Sequence, residues 1–493
     1  MQARIYYGEE TRKALSNFGP GKTPLELIRA YAKVKIAAVS AVQEIEGRFE
    51  TGLFACLLDA LREIVEGRHD GQFPLSIRQG GAGTSFNMNL NEVATARARE
   101  LFLERQGIEA PPLDPIEDVN RAQSTNDTFP TAVTVAVLEL VLGLEDRVVA
   151  LQEALVAKER EFDGILVAGR TELQDALPIR LGQVFGAWAG CVERDRWRLH
   201  KVKERLRTSA LGGTAIGTCF AASPEYVHAA ERELRRVTGL PLSRSQNLPD
   251  EIAHQDKLAE VADAIGLCAG NLRKICSDLL LYTSSLSGEL VHPELQYGST
   301  IMPAKTNPVL LEYARGHAMA AEHEASAARD FAFEGQLQLN AYLPFLADEL
   351  LDAGRSLGKA LDCLAKKFLP LVELRRERIA ERLVGSPVLL NLLAPVLGYR
   401  KVKELARGLA DLSARSRAQG DGASDGGKDA DGGTSDGRSA QGGSAQVGAE
   451  RILDDFIDRV AKASGLPRED IAERFDPHRA TTMTSPRKDI PPS

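Results

Sequence analysis

Aromatic side chains are scarce in this sequence: Phe, Trp and Tyr together make up 5% of its 493 residues. That disfavours a core built from aromatic and β-branched strands, and the plentiful Ala, Leu, Glu and Arg favour helix. No two cysteines form a CxxC pair. The six present, Cys56, Cys191, Cys219, Cys268, Cys276 and Cys363, are scattered. A disulfide framework and a zinc site are therefore not expected, and a reducing cytoplasm is the default location. There is no excess of positive charge. The formal net charge is -8, which gives no footprint for nucleic acid. No run reaches the roughly 18 apolar residues that a membrane helix needs. The N-terminal "MQARIYYGEETRK" has no apolar segment, so no signal peptide is expected.

What is present is helix, punctuated by polar loops. Length alone suggests roughly two to four domains. "TPLELIRAYAKVKIAAVSAVQEI" reads as one helix, with Thr23 as N-cap and Pro24 in the first position. From about Ala132 to Lys203 the chain reads as mostly long helix, and further blocks run from about Asp250 to Ser285 and from Pro308 to about Phe368. Helices of that length bury their apolar faces against other helices. The expected architecture is all-α with three domains: a mixed helical domain over 1–131, a central long-helix bundle over 132–368, and a small helical domain over 369–493. A Gly-, Ser- and Asp-rich insert at about 413–448 interrupts the last and is expected to be disordered, because it has too little apolar surface to offset its ordering entropy.

Four loop-like stretches share one composition. They are "QGGAGTSFNMNLNE" with Thr84, "NRAQSTNDTFPTA" with Ser124, Thr125 and Asn126, "GRTELQDALP" with Thr171 and Glu172, and "GSTIMPAKTNP" with Ser299, Thr300, Lys305 and Asn307. Hydroxyls, amides and backbone N–H groups at helix ends, with one lysine for charge, suit a small anion. None of the four contains histidine, so a metal site is not expected there. Any one of them alone reads as a turn or a helix cap. Four in one chain, each beside a long helix, are less easily dismissed as turns and caps alone.

These stretches carry a resemblance. "GSTIMPAKTNP" is similar to the signature of the aspartase/fumarase superfamily, Gly-Ser-x-x-Met-Pro-x-Lys-x-Asn-Pro, and the other three match the family's remaining active-site loops in order. The resemblance runs from Tyr6 to about Arg407. "QGGAGTSFNMN", "QSTND", "GRTELQD" and "EGQLQLN" are more similar to the aspartate ammonia-lyase versions than to those of fumarase.

The resemblance implies a tetrameric superhelical bundle, a homotetramer with each site built by three subunits. It implies a small dicarboxylate as substrate and no cofactor. The reaction it implies is elimination of an amine from aspartate, or from a modified or N-substituted aspartate, through an aci-carboxylate to fumarate. By the same resemblance Ser299 matches the catalytic base, and Lys305 and Asn307 match contacts to the α-carboxylate, as does Thr171. Thr84, Ser124, Thr125 and Thr300 match the β-carboxylate set, and Asn126 matches a ligand of the amino group. Glu172 departs from the family, which has His or Gln there; the residue that normally partners that histidine is matched by Glu312. The alternatives are loss of water from malate, loss of nitrite from nitrosuccinate, and a scaffold that does no chemistry.

Overall fold

The computed structural model describes residues 4–420 and 441–482. Helix accounts for 67% of it. The strands form three two-stranded ribbons: Leu166–Thr171 with Gln174–Arg180, Thr208–Ser209 with Ser243–Arg244, and Leu290–Val291 with Glu373–Leu374. The all-α class holds. Contacts divide the chain into two compact units, each assembled from three stretches. The first is Met1–Val149, Val192–Lys274 and Tyr313–Asp362; the second is Ala150–Cys191, Ile275–Glu312 and Cys363–Ser493.

In the first unit the helix Leu25–Glu46 is the core element. It packs on the helices Thr51–Val65 and Pro224–Thr238. Its apolar residues point to every face, and Leu27, Ile28, Ala30, Tyr31, Val34 and Val39 are all buried, as expected of a helix enclosed by others. The start lies one residue later than the sequence suggests. Pro24 is the cap residue in extended conformation, and the Thr23 hydroxyl donates instead to the Leu75 carbonyl at 3.0 Å. Tyr31 meets Phe86 and Phe129 edge to face at 5.4 and 6.0 Å, tying this helix to Thr84–Gln106 and Thr125–Glu161. The Glu92 carboxylate caps the first helix, Glu9–Phe18, by accepting from the Gly8, Glu10 and Thr11 N–H groups at 2.8, 2.8 and 3.2 Å.

In the second unit Phe162, Phe185, Trp188 and Tyr282 form an aromatic ladder with successive centroids 5.3, 4.8 and 6.3 Å apart. The helix expected to continue to Lys203 is broken here. Thr125–Glu161 ends, an antiparallel hairpin occupies 166–180, and helix resumes at Leu181–Val202. The break follows from Gly164 and Pro178, which disfavour helix, and from the β-branched Ile165 and Val167, which suit strand. The helix Arg376–Gly385 packs on this hairpin and on Gln441–Ser464. Of the insert expected to be disordered, 421–440 lies outside the described residues, while 413–420 and 441–448 are helical. Among the described residues no single helix is long and apolar enough to cross a membrane.

Candidate active site

The candidate residues fall into two groups. Thr84, Ser124, Thr125 and Asn126 lie in the first unit; Thr171, Glu172, Ser299, Thr300, Lys305, Asn307 and Glu312 lie in the second.

In the first unit two helix N-termini come together. Thr84 opens the helix Thr84–Gln106 after Gly81, Ala82 and Gly83, all with positive φ. Gly83 is required twice over: its φ is 91°, and a Cβ would lie 2.7 Å from the Phe129 ring. Ser124 precedes the helix Thr125–Glu161 and caps it, its hydroxyl accepting the Asn126 N–H at 3.2 Å. The buried Thr125 hydroxyl accepts from Asn87 Nδ2 at 3.1 Å, which joins the two helix starts. Asn126 Nδ2 donates to the Ala215 carbonyl at 2.9 Å. Thr84 is exposed and Ser124 half-buried, so hydroxyl donors face outward over the positive ends of two helix dipoles.

Behind them lies a charged layer that the sequence motifs did not reveal. Lys35 is fully buried and donates to Asn120 Oδ1 and Gln123 Oε1, both at 2.9 Å. Burial pushes its ammonium down to about 7, opposed by the charge on Asp127. Asp127 is also fully buried; burial pushes its carboxyl up to about 6, against the N–H groups of Ser124, Thr214 and Gly212. A lysine among alanines and valines in a largely buried, apolar helix was the available signal for this layer.

In the second unit, the loop 298–307 closes at its neck. Asn307 Nδ2 donates to the Gly298 carbonyl at 2.5 Å. A Cβ on Gly298 would overlap the Lys305 carbonyl oxygen, so only glycine fits. Inside the loop the Ser299 hydroxyl oxygen accepts from the Ile301 and Met302 N–H groups at 3.2 and 3.1 Å. Thr300 and Lys305 are exposed on the same loop.

Thr171 and Glu172 lie at the tip of the hairpin. Thr171 pairs with Gln174, so Glu172 and Leu173 form a two-residue turn, with φ of 53° and 60°. Such a turn normally takes Asn-Gly. Two side-chain-bearing residues held there cost about 1–3 kcal/mol each. A buried ion pair secures the hairpin: Arg170 donates to both oxygens of the fully buried Glu289 at 2.9 and 2.8 Å, and to Asp175 at 3.1 Å. Arg180 binds Asp163 and the His478 ring, both at 2.7 Å. Neither arginine takes Glu172. Glu312 is exposed in the first turn of Val309–Ala332, and among the described residues no hydrogen bond joins it to Glu172.

A sequence profile described as "Lyase" matches residues 3–321. The chain belongs to this lyase family, the aspartase/fumarase superfamily. Curated relatives carry two different names. A fumarate hydratase class II of Thermus aquaticus is 36% identical over 418 residues, covering 83% of this chain and 88% of that protein. An aspartate ammonia-lyase of Bacillus subtilis (strain 168) is 35% identical over 412 residues, covering 83% and 86%. Among solved structures, a fumarate lyase:delta crystallin from Brucella melitensis bound to cobalt superposes with a TM-score of 0.81 at 32% identity, covering 98% of this chain and 97% of that one. A recombinant class II fumarase from Schistosoma mansoni gives 0.77 at 29%, covering 84% and 91%. Among the described residues of this family member, no group of three or more His, Cys, Asp or Glu could hold a metal ion.

Proposed function

We propose that this lyase eliminates an amine from aspartate, or from a modified or N-substituted aspartate, to give fumarate. The observation that carries the reading is the Ser299 hydroxyl oxygen, which accepts two backbone N–H groups inside its own loop. A free hydroxyl is a poor base. An oxygen that already receives two donors is stabilised as an alkoxide, and a cation brought beside it would complete the effect. In this reading Ser299 removes the proton from the carbon beside one carboxylate. The electron pair moves into that carboxylate as the doubly charged aci-form, which the hydroxyls of Thr84, Ser124, Thr125 and Thr300 receive. The pair then returns to form the double bond as the C–N bond on the opposite face breaks and the amine leaves. Lys305, Asn307 and Thr171 hold the other carboxylate, and Asn126 holds the departing nitrogen.

Glu172 supports an amine as leaving group. It is exposed at a strained turn, with Arg170 and Arg180 occupied by other acids. A carboxylate placed there attracts a protonated amine and gives nothing comparable to a neutral hydroxyl. The second reading, loss of water from malate, draws on the relatives named fumarate hydratase, which are as similar as those named aspartate ammonia-lyase. Our reading includes a homotetramer with shared sites. Supporting it are large apolar side chains left exposed on both units, Tyr297 at 94%, Ile301 at 84% and Leu337 at 87%. Light scattering on the purified protein tests the assembly; a monomer rejects it. A panel of substituted succinates, followed by fumarate absorbance, tests the chemistry.

A further inference from the structure

Asp127 follows Asn126 in the chain and takes no part in the chemistry proposed above. Its side chain is fully buried. One carboxylate oxygen accepts the Ser124 N–H at 3.0 Å. The other accepts the N–H groups of Gly212 and Thr214, each at 3.0 Å. A single side chain therefore joins the turn that starts the helix Thr125–Glu161 to a loop 85 residues further on. That loop adopts a conformation it would not hold freely, with left-handed backbone at Gly212 (φ 90°) and at Thr214 (φ 57°). Asn126 touches the same loop, through its amide on the Ala215 carbonyl. The Asn126 carbonyl has no helical donor of its own, because the residue four positions on is Pro130, which lacks an N–H. Asn126 therefore touches the Ser124 turn through its backbone N–H and the Gly212–Ala215 loop through its side-chain amide, and the Asp127 carboxylate bonds both segments.

We infer that Asp127 is a positioning residue: by holding the Ser124 turn and the Gly212–Ala215 loop on the two oxygens of one buried carboxylate, it fixes the Asn126 amide at the leaving-group side of the substrate. This rests on the role proposed for Asn126. The charged and titratable groups nearest Asp127 fit a support element. Lys35 and Tyr31 face it from the helix Leu25–Glu46, with Tyr31 hydrogen-bonded to the neighbouring Thr128 at 2.8 Å, and the buried Tyr226 faces it from the helix Pro224–Thr238. Among the described residues the buried Thr214 hydroxyl has no hydrogen-bond partner, so this loop residue is held by its N–H on Asp127.

The test is Asp127→Asn. The amide keeps the size and one acceptor oxygen but turns the other into a donor, so it can hold one segment and not both. The expected result is a folded protein in which amides of 212–215 or 124–127 exchange with solvent on the order of tenfold faster. The same variant should lose on the order of 100-fold in kcat/KM, mostly in kcat, as expected for a misplaced contact. In an Asn126→Ala background the same change should cost less than about threefold, since its effect runs through Asn126. Losses that multiply in full, or unchanged exchange in both segments, would overturn the proposal. If Asp127→Asn does not fold, Thr214→Gly serves instead. It relaxes the left-handed backbone without touching the carboxylate, and its effect on kcat must likewise vanish without Asn126; an undiminished effect overturns the proposal. The cycle is run on whichever substituted succinate the parent converts fastest. A parent that prefers a neutral leaving group refutes the amine reading while leaving the cycle able to decide on Asp127, and the exchange measurement needs no substrate.

Discussion

Replacing Gly298 by alanine should leave the protein folded and almost inactive. The Gly298 α-carbon faces the backbone carbonyl of Lys305 so closely that an added methyl would overlap that oxygen, and it would lie 3.4 Å from the Asn307 nitrogen. Both obstacles are backbone, so no rotamer change relieves them. The neck of the loop has to open by roughly 1 Å, which at a reacting group costs on the order of 100-fold in rate. Opening the neck also breaks the bond from Asn307 Nδ2 to the Gly298 carbonyl, 2.5 Å in the parent. Residues 300–306 are exposed, so little packing is lost with it. The stability cost is then about that of one hydrogen bond, ~1 kcal/mol, which in a protein of this size shifts the melting temperature by only about a few degrees. Initial rates of fumarate formation and a calorimetric scan on the same preparation give both numbers. A variant with near-parental kcat would refute the reasoning, because Ser299 would then owe its position to something other than the neck.

Three further outcomes follow from the same geometry. Ser299→Ala should lower kcat by about 10²–10⁴-fold, the usual contribution of a general base, with the melting temperature nearly unchanged; near-normal turnover removes Ser299 as the base. Lys305→Ala should raise KM steeply, by roughly 2–5 kcal/mol of lost carboxylate binding, and an unchanged KM means that the lysine only decorates a turn. Glu63 gives a pH prediction. The Arg97 guanidinium and the His69 ring, bonded to it at 2.7 Å each, hold its carboxyl at about 2, below the usual 4.5. A folded pKa below the unfolded one contributes stability above about pH 4.5 that is lost as pH falls toward about 2, here about 2–3 kcal/mol. Urea midpoints at about pH 5 and about pH 2.5 should therefore differ more in the parent than in Glu63→Gln; equal differences contradict the assignment.

The fold class and the loop residues were legible because each rests on contiguous sequence. Long runs of helix formers need only their own periodicity, and "GSTIMPAKTNP" carries serine, lysine, asparagine and the neck glycine within one stretch. The hairpin at 166–180 was not legible. Its turn residues, Glu172 and Leu173, are the wrong types for a left-handed pair, so the usual Asn-Gly signal is missing. The clamp on Asp127 was hidden for another reason: two of its three donors lie 85 and 87 residues away, and all three are backbone groups, which leave no side-chain pattern. Glu289 is likewise 119 residues from Arg170 and reads in sequence as an ordinary loop acid.

The central claim, that the leaving group is an amine, is tested most directly by kcat/KM for L-aspartate and L-malate, measured by fumarate absorbance in the parent and in Glu172→Gln. With a carboxylate at the turn, an amino-substituted succinate should be the better substrate of the parent, and Glu172→Gln should shift activity toward plain aspartate. A parent that converts malate faster than any amine, or nitrosuccinate faster than either, would contradict it.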